Sequence, residues 1–456
     1  MINIKSDSRK VTKGDIFIAL RGISSDGHDY IKQAINSGAS KIIAEFGEYS
    51  IDTKIVPDTR AYLEKYLLDN YKSCLSKMTI IGITGTNGKS TAAFFCYQAL
   101  NNLNIKCAYI GTIGFYLDKK ICSLPNTSCE ITETYDMITT AYDQGYRHII
   151  LEVSSQGLSY RRIETLTFDY VVFTNLTQDH LDYHKTMGNY ALAKQRLFYK
   201  LKPAGHAIVN YDDQYKDYFL LEKNHNITYG FNGGDYHIVN YETNKDHLKF
   251  TYEYQQKSHH ITVPIIGKYN IYNLIIVIII MDQLNLKEKY IKKSLKNLST
   301  PPGRLDLVPY NNNSIIIDYA HTTDAFSNII TTVKEITLGN IYVVYGCTGD
   351  RDRLKRPIMT KLVTDLCKSV IITIDDPHNE NPQNIVNDMI EGLENNNYEI
   401  CLDRKQAIIK GINLLQTNDV LLILGKGHEE TIIYGNKIIP FNDKKIVIEY
   451  LDTINK

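Results

Sequence analysis

A nine-residue glycine loop, Gly82-Ile83-Thr84-Gly85-Thr86-Asn87-Gly88-Lys89-Ser90, dictates more of this chain than any other stretch. An apolar run, Met78 to Ile81, precedes it, and a helix-like stretch, Ala92 to Leu103, follows. Strand, glycine loop and helix together gather backbone N–H groups around an anion, and the helix N-terminus adds a favourable dipole. In that geometry Lys89 reaches terminal phosphates and Ser90 ligates magnesium. The spacing departs from the usual one, because five residues rather than four separate Gly82 from Gly88. A tight βα turn is the plain rival reading, and it leaves Gly88-Lys89-Ser90 unexplained. Gly85 to Thr91 therefore read as an ATP site.

At 456 residues the chain has room for two to four domains. Zero formal net charge and a pI of about 7.2 give no global field for nucleic acid or acidic membranes. The eight cysteines form no C-x-x-C pair, which argues for reduced thiols over a zinc knuckle or a disulfide scaffold. The stretch Met1 to Asp7 has no apolar signal core. The longest apolar run, Leu274 to Met281, is too short to span a bilayer and is closed by Asp282. It is read as a buried helix face, with a strand as the rival. A soluble, cytoplasmic protein is expected.

Strand and helix signals alternate through most of the chain, as a mostly parallel sheet with helices on both faces requires. Residues 1–77 form a small α/β unit with a strand at Asp15 to Leu20, a helix at Tyr30 to Ser37 and a strand at Lys41 to Ala44. Residues 78–297 hold strands ending at Glu152-Val153-Ser154-Ser155, at Asn175 to His180 and at Asn210 to Asp213. Ligands bind at such strand ends. Glu152, costly to bury unpaired, suits a magnesium ion held with Ser90, or alternatively a local arginine. His180 is a structural histidine or a metal or phosphate contact, and Asn210 to Asp213 suit ribose hydroxyls. Tyr190 to Lys200 reads as a helix whose Lys194, Arg196 and Lys200 form a solvated basic face. Residues 231–263 read as a small antiparallel insertion. Asn270 and Asn273 either cap the next helix or face an adenine edge. After Pro301-Pro302-Gly303, residues 298–456 alternate again, and their strand ends carry Asp318 to His321, Gly346 to Asp352, Asp375 to His378 and Gly425 to Glu429.

In their order, these segments resemble the Mur ligase family, most closely its tripeptide-synthetase branch, from Asp7 to about Asp443. The resemblance implies an α/β fold of three domains. A small N-terminal domain (1–77) binds a UDP-sugar, a central P-loop ATPase (78–297) has a mostly parallel sheet, and a C-terminal Rossmann-like domain (298–456) binds the incoming amino acid. It implies ATP and two magnesium ions as cofactors, and UDP-N-acetylmuramoyl-dipeptide and a free amino acid as partners of a monomer. Ser8 matches a uridine contact, and Asn126, Thr127, Ser128, Ser154 and Arg162 match contacts to the muropeptide. Lys89, Ser90 and Glu152 match the phosphate lysine and the first metal site, and His180 a ligand of the second. Lys194 falls on a lysine that is carbamylated in the family, which replaces the solvated-face reading for that residue. Asn270, Asn273, Arg304 and Asp318 match ATP contacts. Arg351, Asp375, Asp376, His378, Gly425 and Glu429 fall at positions that hold the amino acid.

The implied reaction activates a carboxylate as an acyl phosphate, which the amine of the amino acid then attacks. Lys89, the metal ions and the loop amides neutralise the approaching anions. His321 is a candidate general base, or else a structural partner of Asp318. Gln156 and Thr323 replace the family's usual His and Pro without removing a charge. Enzymes taking diaminopimelate resemble Asp-Asn-Pro-Arg, whose arginine grips a distal carboxylate in a two-pronged fork. Here the stretch is Asp375-Asp376-Pro377-His378, which lacks the fork and offers two acids for an ammonium. L-lysine (or ornithine) is therefore the expected substrate, with diaminopimelate the alternative. A folylpolyglutamate-type ligase and a nucleotide-gated binding protein are the rival functions.

Overall fold

The computed structural model describes residues 3–22, 25–222 and 225–454, so Met1 and Ile2 of the N-terminal stretch lie outside the described residues. Three α/β units follow one another, each with its own sheet. The first is a four-stranded parallel sheet of Ile4–Lys5, Ile16–Ile18, Lys41–Ala44 and Asp52–Ile55. Its long helix, Thr59–Leu75, gave little apolar signal because the buried stripe is little more than Leu63 and Leu67 among charged residues. Asp58 caps that helix by accepting the N–H of Ala61.

The central sheet has eleven strands, and the glycine loop leaves its middle. Thr79–Thr84 pairs in parallel with Phe168–Phe173 on one side and His148–Glu152 on the other. Strand alternation divides the core, since Ile80 packs toward one face while Ile81 and Ile83 pack toward the other. The second face is closed by Lys89–Asn101 and by Tyr269–Gln283. The latter is the helix expected from the Leu274 to Met281 run, which is buried throughout.

The antiparallel strands expected over 231–263 are present, and they belong to the central sheet. Tyr236–Thr243, Leu248–Tyr254 and Lys257–Val263 extend the central sheet, joined through the parallel pair Tyr229 and Tyr236. Their alternate residues Ile238, Phe250 and Ile261 enter the same core as Ile276, so the sheet grows over that helix.

The third sheet runs Asp306–Tyr310, Asn313–Asp318, Val420–Leu424, Ile341–Tyr345, Ser369–Ile372, Tyr398–Ile400, with only the first strand antiparallel. A hairpin, Thr431–Tyr434 with Lys437–Pro440, stands beside it. Both larger sheets direct their polar strand ends into the space between the units. Among the described residues no helix is long and apolar enough to cross a membrane.

Candidate active site

Gly85 leaves the central strand with φ +148°, and a Cβ there would stand 1.9 Å from Thr174 Oγ1, so the loop passes where only glycine fits. Thr86 N–H donates to Asn175 O and Asn87 N–H to Asn175 Oδ1, at 2.8 and 2.9 Å, which pins the loop to the neighbouring strand end. Lys89 Nζ donates to the carbonyls of Gly85 and Thr86. Lys194 Nζ donates to Gly85 O at 2.7 Å from a side chain only 1% exposed, which excludes the solvated-face reading. Burial, and then the charge of Lys89, hold the Lys194 ammonium well below the ordinary lysine range.

Glu152 is 1% exposed, and no arginine among the described residues forms an ion pair with it. Its carboxylate accepts from Ser90 Oγ at 2.8 Å, from Thr112 N–H and Oγ1 at 3.0 Å each, and from the Tyr109 hydroxyl. Its hydrogen-bond donors are all neutral and Lys89 acts on it only through space, and a hard cation beside Ser90 fits the remaining need. The oxygens of Ser90 and Glu152 suit magnesium, while His180 offers nitrogen. His180 lies 3.4 Å from Asp179 through Nε2, and burial lowers its imidazole to about 4 despite that carboxylate.

Asp179 faces a second histidine across the units, since His321 Nε2 stands 3.6 Å away. His321 Nδ1 meets the carbonyl of Tyr319 at 2.9 Å, so its ring partners are Tyr319 and Asp179, and the alternative of a structural bond to Asp318 is not the one formed. The Asp318 carboxylate instead accepts from the backbone N–H groups of Leu305 and Ala320 at 2.7 Å each, and shapes the loop that carries Arg304. Arg304 stacks over Tyr319 and reaches toward Ser90 Oγ at 3.5 Å.

Three cavities meet around these groups. The first, about 320 Å³, is lined by Asn87, Gly88, Thr91, Asn270, Asn273, Asp318 and the Asn210 strand end. There Asn273 donates to Asn270 Oδ1 and Asn270 to Ile266 O, so the two amides brace one another. The second, about 370 Å³, joins Lys89, Ser90, His180 and Lys194 to Asn126, Thr127, Ser154 and Arg162. Ser128 supports that wall, accepting from Ser154 N–H and giving its carbonyl to Arg162 Nη1. Ser8, which donates to Gln33 Oε1, lies further along a connected surface that also includes Asn126 and Arg162.

The third cavity, about 330 Å³, is lined by Arg351, Asp375, Asp376, His378, Gly425 and Glu429. Sequence reasoning missed the cation that pairs with its acids. Lys426, fully buried, donates to Asp376 Oδ1 and Glu429 Oε2 at 2.8 Å each and lies 3.6 Å from Asp375. Asp376 also accepts the N–H of Ile433, so the acid expected to await a substrate ammonium is already paired within the chain. Burial raises the Glu429 carboxyl above its ordinary range although Lys426 opposes it. Behind the cavity, Arg404 is clamped by Asp443 and donates to the carbonyls of Ile374 and Leu424, each next to a residue of the site. His378 has φ +49° and is fixed through its backbone to Ile433 and Gly435 of the hairpin. Asp179, Lys426 and Arg404 carried no spacing signal, because each acquires its meaning only from partners far away in sequence.

The Mur ligase family catalytic domain matches residues 2–72, the Mur ligase middle domain residues 83–281, and the glutamate ligase domain residues 303–427. A UDP-N-acetylmuramoyl-L-alanyl-D-glutamate--2,6-diaminopimelate ligase of Clostridium botulinum is 37% identical over 99% of this chain and 95% of its own. One of the same name from Fusobacterium nucleatum is 36% identical over 97% and 92%. A solved structure of such a ligase superposes with a TM-score of 0.67 at 30% identity, covering 100% of this chain and 95% of that one. The MurF ligase of Thermotoga maritima, solved with ADP, shares the fold at a TM-score of 0.73 and 17% identity, covering 99% and 98%. The three family models together span most of the chain and the relatives match nearly all of it, so the chain belongs to the Mur ligase family and is an ATP-dependent acid–amino-acid ligase.

Proposed function

We propose that this enzyme adds the third amino acid to UDP-N-acetylmuramoyl-L-alanyl-D-glutamate during peptidoglycan synthesis in the cytoplasm. The observation that carries this reading is the shared wall of the three cavities. Asn87, Gly88, Thr91 and Arg304 line the first and second, while His180, Arg351 and Glu429 line the second and third. Nucleotide, dipeptide and amino acid thus meet at one place. The N-terminal unit (1–77) holds the uridine end near Ser8, the central unit (78–297) holds ATP, and the last (298–456) delivers the amino acid.

The γ-carboxylate of the dipeptide's D-glutamate, aligned by the wall of Asn126, Ser154 and Arg162, attacks the γ-phosphate of ATP and expels ADP to give an acyl phosphate. Lys89 and the loop amides stabilise charge that builds on the phosphate oxygens. Ser90, Glu152 and His180 would hold magnesium, two ions in all, which supplies further charge neutralisation to the phosphates. The amine then displaces phosphate, with orientation supplied by the packing of the last unit on the central one.

Diaminopimelate is the amino acid this reading favours, in place of the lysine expected from His378. Relatives along nearly the whole chain are diaminopimelate ligases, which supports it, and Lys426 removes the argument from two free acids. The absent arginine at 378 still speaks for L-lysine, so both belong in the test. ADP release by purified enzyme is measured with UDP-dipeptide and a panel of amino acids. Release that needs both dipeptide and diaminopimelate, and is lost in Lys89→Ala, supports the reading. Release indifferent to the dipeptide refutes it and favours a nucleotide-gated binding protein.

A further inference from the structure

We propose that Tyr109 confines Glu152 to a single cation-facing oxygen, Oε2, and thereby sets a preference for magnesium over calcium. This rests on the reading of Ser90 and Glu152 as holders of a cation. A carboxylate free at both oxygens can chelate calcium, which takes about six to eight oxygen ligands at roughly 2.3–2.6 Å. Magnesium demands near-octahedral geometry at about 2.0–2.1 Å and suits a carboxylate that offers one oxygen.

The two oxygens of Glu152 are held by donors of different kinds. Oε2 accepts from two hydroxyls, Ser90 Oγ at 2.8 Å and Thr112 Oγ1 at 3.0 Å. Both can turn away. A rotated Ser90 hydroxyl presents a lone pair to a cation, and Thr112 Oγ1 has a second acceptor in Thr127 Oγ1 at 2.9 Å. Oε1 accepts from the backbone N–H of Thr112 at 3.0 Å and from the Tyr109 hydroxyl. Neither of these donors can rotate off. The N–H is fixed by the chain, and the Tyr109 oxygen accepts the N–H of Ile113 at 3.2 Å, which leaves its one proton for Glu152.

Packing holds the tyrosine as firmly as its hydrogen bonds do. Tyr109 lies on the strand Cys107–Gly111 and is 0% exposed, with the rings of Phe94, Tyr97 and Tyr116 centred 5.5, 6.3 and 5.8 Å from its own. Its hydroxyl leaves Oε1 only if that cluster moves. Ser90, Thr112 and Thr127 line the second cavity, and Tyr109 does not. The oxygen with releasable donors therefore faces the cavity. The other faces the strand end, where Oε1 stands 2.4 Å from the place of a Cβ on Gly111. Tyr109 is a positioning residue, since it acts through Glu152 and not on a substrate.

The full-length enzyme with Tyr109→Phe tests this, because phenylalanine keeps the ring and removes the hydroxyl. Manganese binding is followed by the paramagnetic resonance of the free ion, and binding that is lost in Glu152→Gln marks this site. Magnesium and calcium are then titrated in as competitors. The parent should bind magnesium more tightly than calcium, and in Tyr109→Phe the ratio of the two affinities should move toward calcium by about 10-fold or more. Thr112→Val takes a hydroxyl from Oε2 but leaves Oε1 held, so its ratio should stay within about 3-fold of the parent. An unchanged ratio in Tyr109→Phe overturns the proposal. So does a parent that prefers calcium, or an equal shift in Thr112→Val, which would mean that any lost donor suffices. Manganese binding that is the same in parent and Glu152→Gln overturns the reading of the cation site itself, and this inference with it.

Discussion

The ammonium groups of Lys194 and Lys89 converge on one carbonyl oxygen, that of Gly85, at 2.7 Å and 3.0 Å. Two full positive charges around a single neutral acceptor, with Lys194 buried, favour the loss of one proton. Burial, then the neighbouring Lys89, put that loss on Lys194. A neutral amine adds carbon dioxide, and the product carbamate is an anion that Lys89 can face. Protein incubated in bicarbonate should therefore gain one carbon dioxide at Lys194, read by peptide or native mass analysis. Lys194→Arg, which stays charged, should gain none there and lose about 100-fold or more in ligase rate. A Lys194→Arg enzyme of parental rate removes any need for the modified lysine.

Arg404 and Asp443 form an ion pair with both side chains 0% exposed. Asp443→Asn leaves the guanidinium buried without its counter-charge, at a cost of about 3–5 kcal/mol. Because Arg404 also carries the carbonyls of Ile374 and Leu424, the loosened loops should raise KM for the amino acid more than KM for ATP. Denaturant unfolding gives the first effect and steady-state kinetics the second. Equal shifts in both constants would mean that the pair supports the fold without placing the cavity's loops.

How much of this was legible in the sequence depended on whether a residue's role is local. The glycine loop and Glu152 could be placed because each sits at a strand end, whereas Lys194, inside the helix Met187–Gln195, was placed only through the resemblance. The partners that explain Glu152 could not, since Thr112 reads as a turn residue and Tyr109 as one apolar strand position among several. Asp376 was misjudged because sequence displays the sign of a charge and hides its partner, here Lys426 from another strand end. The strands from Tyr236 to Val263 were recognised as strands but not as part of the central sheet. Strand alternation marks a buried face without naming what buries it.

His184 offers a pH test. Its side chain is buried, its Nε2 lies 2.9 Å from Ser155 Oγ, and its ring stacks on Tyr190. Burial, the largest cause, lowers its pKa from 6.5 to about 4. The unfolded chain thus takes up the proton first as pH falls. The stability from the neutral ring is present above about 6.5 and is lost as pH falls toward 4, up to roughly 3 kcal/mol. Urea midpoints of parent and His184→Gln, in protein purged of carbon dioxide, should converge between pH 7 and 4.5. Parallel decline of the two curves counts against this assignment.

Gly111 ends the strand Cys107–Gly111, and a Cβ there would stand 2.4 Å from Glu152 Oε1 and 2.7 Å from Glu152 Cδ. A flexible side chain would normally swing aside. Glu152 cannot do so cheaply, because Ser90, Tyr109 and Thr112 hold both of its oxygens. Gly111→Ala should fold, with a loss of about 1–3 kcal/mol from overpacking. Its carboxylate, displaced from Ser90, should no longer share a cation with that hydroxyl. The expected signature is a raised magnesium requirement for ADP release, moving in the same direction as Glu152→Gln. Nucleotide binding without metal should change little, since the loop from Gly85 to Lys89 stays pinned by Asn175. A Gly111→Ala enzyme with the parental magnesium dependence would show that the buried acid serves the structure of the strand end and not the metal.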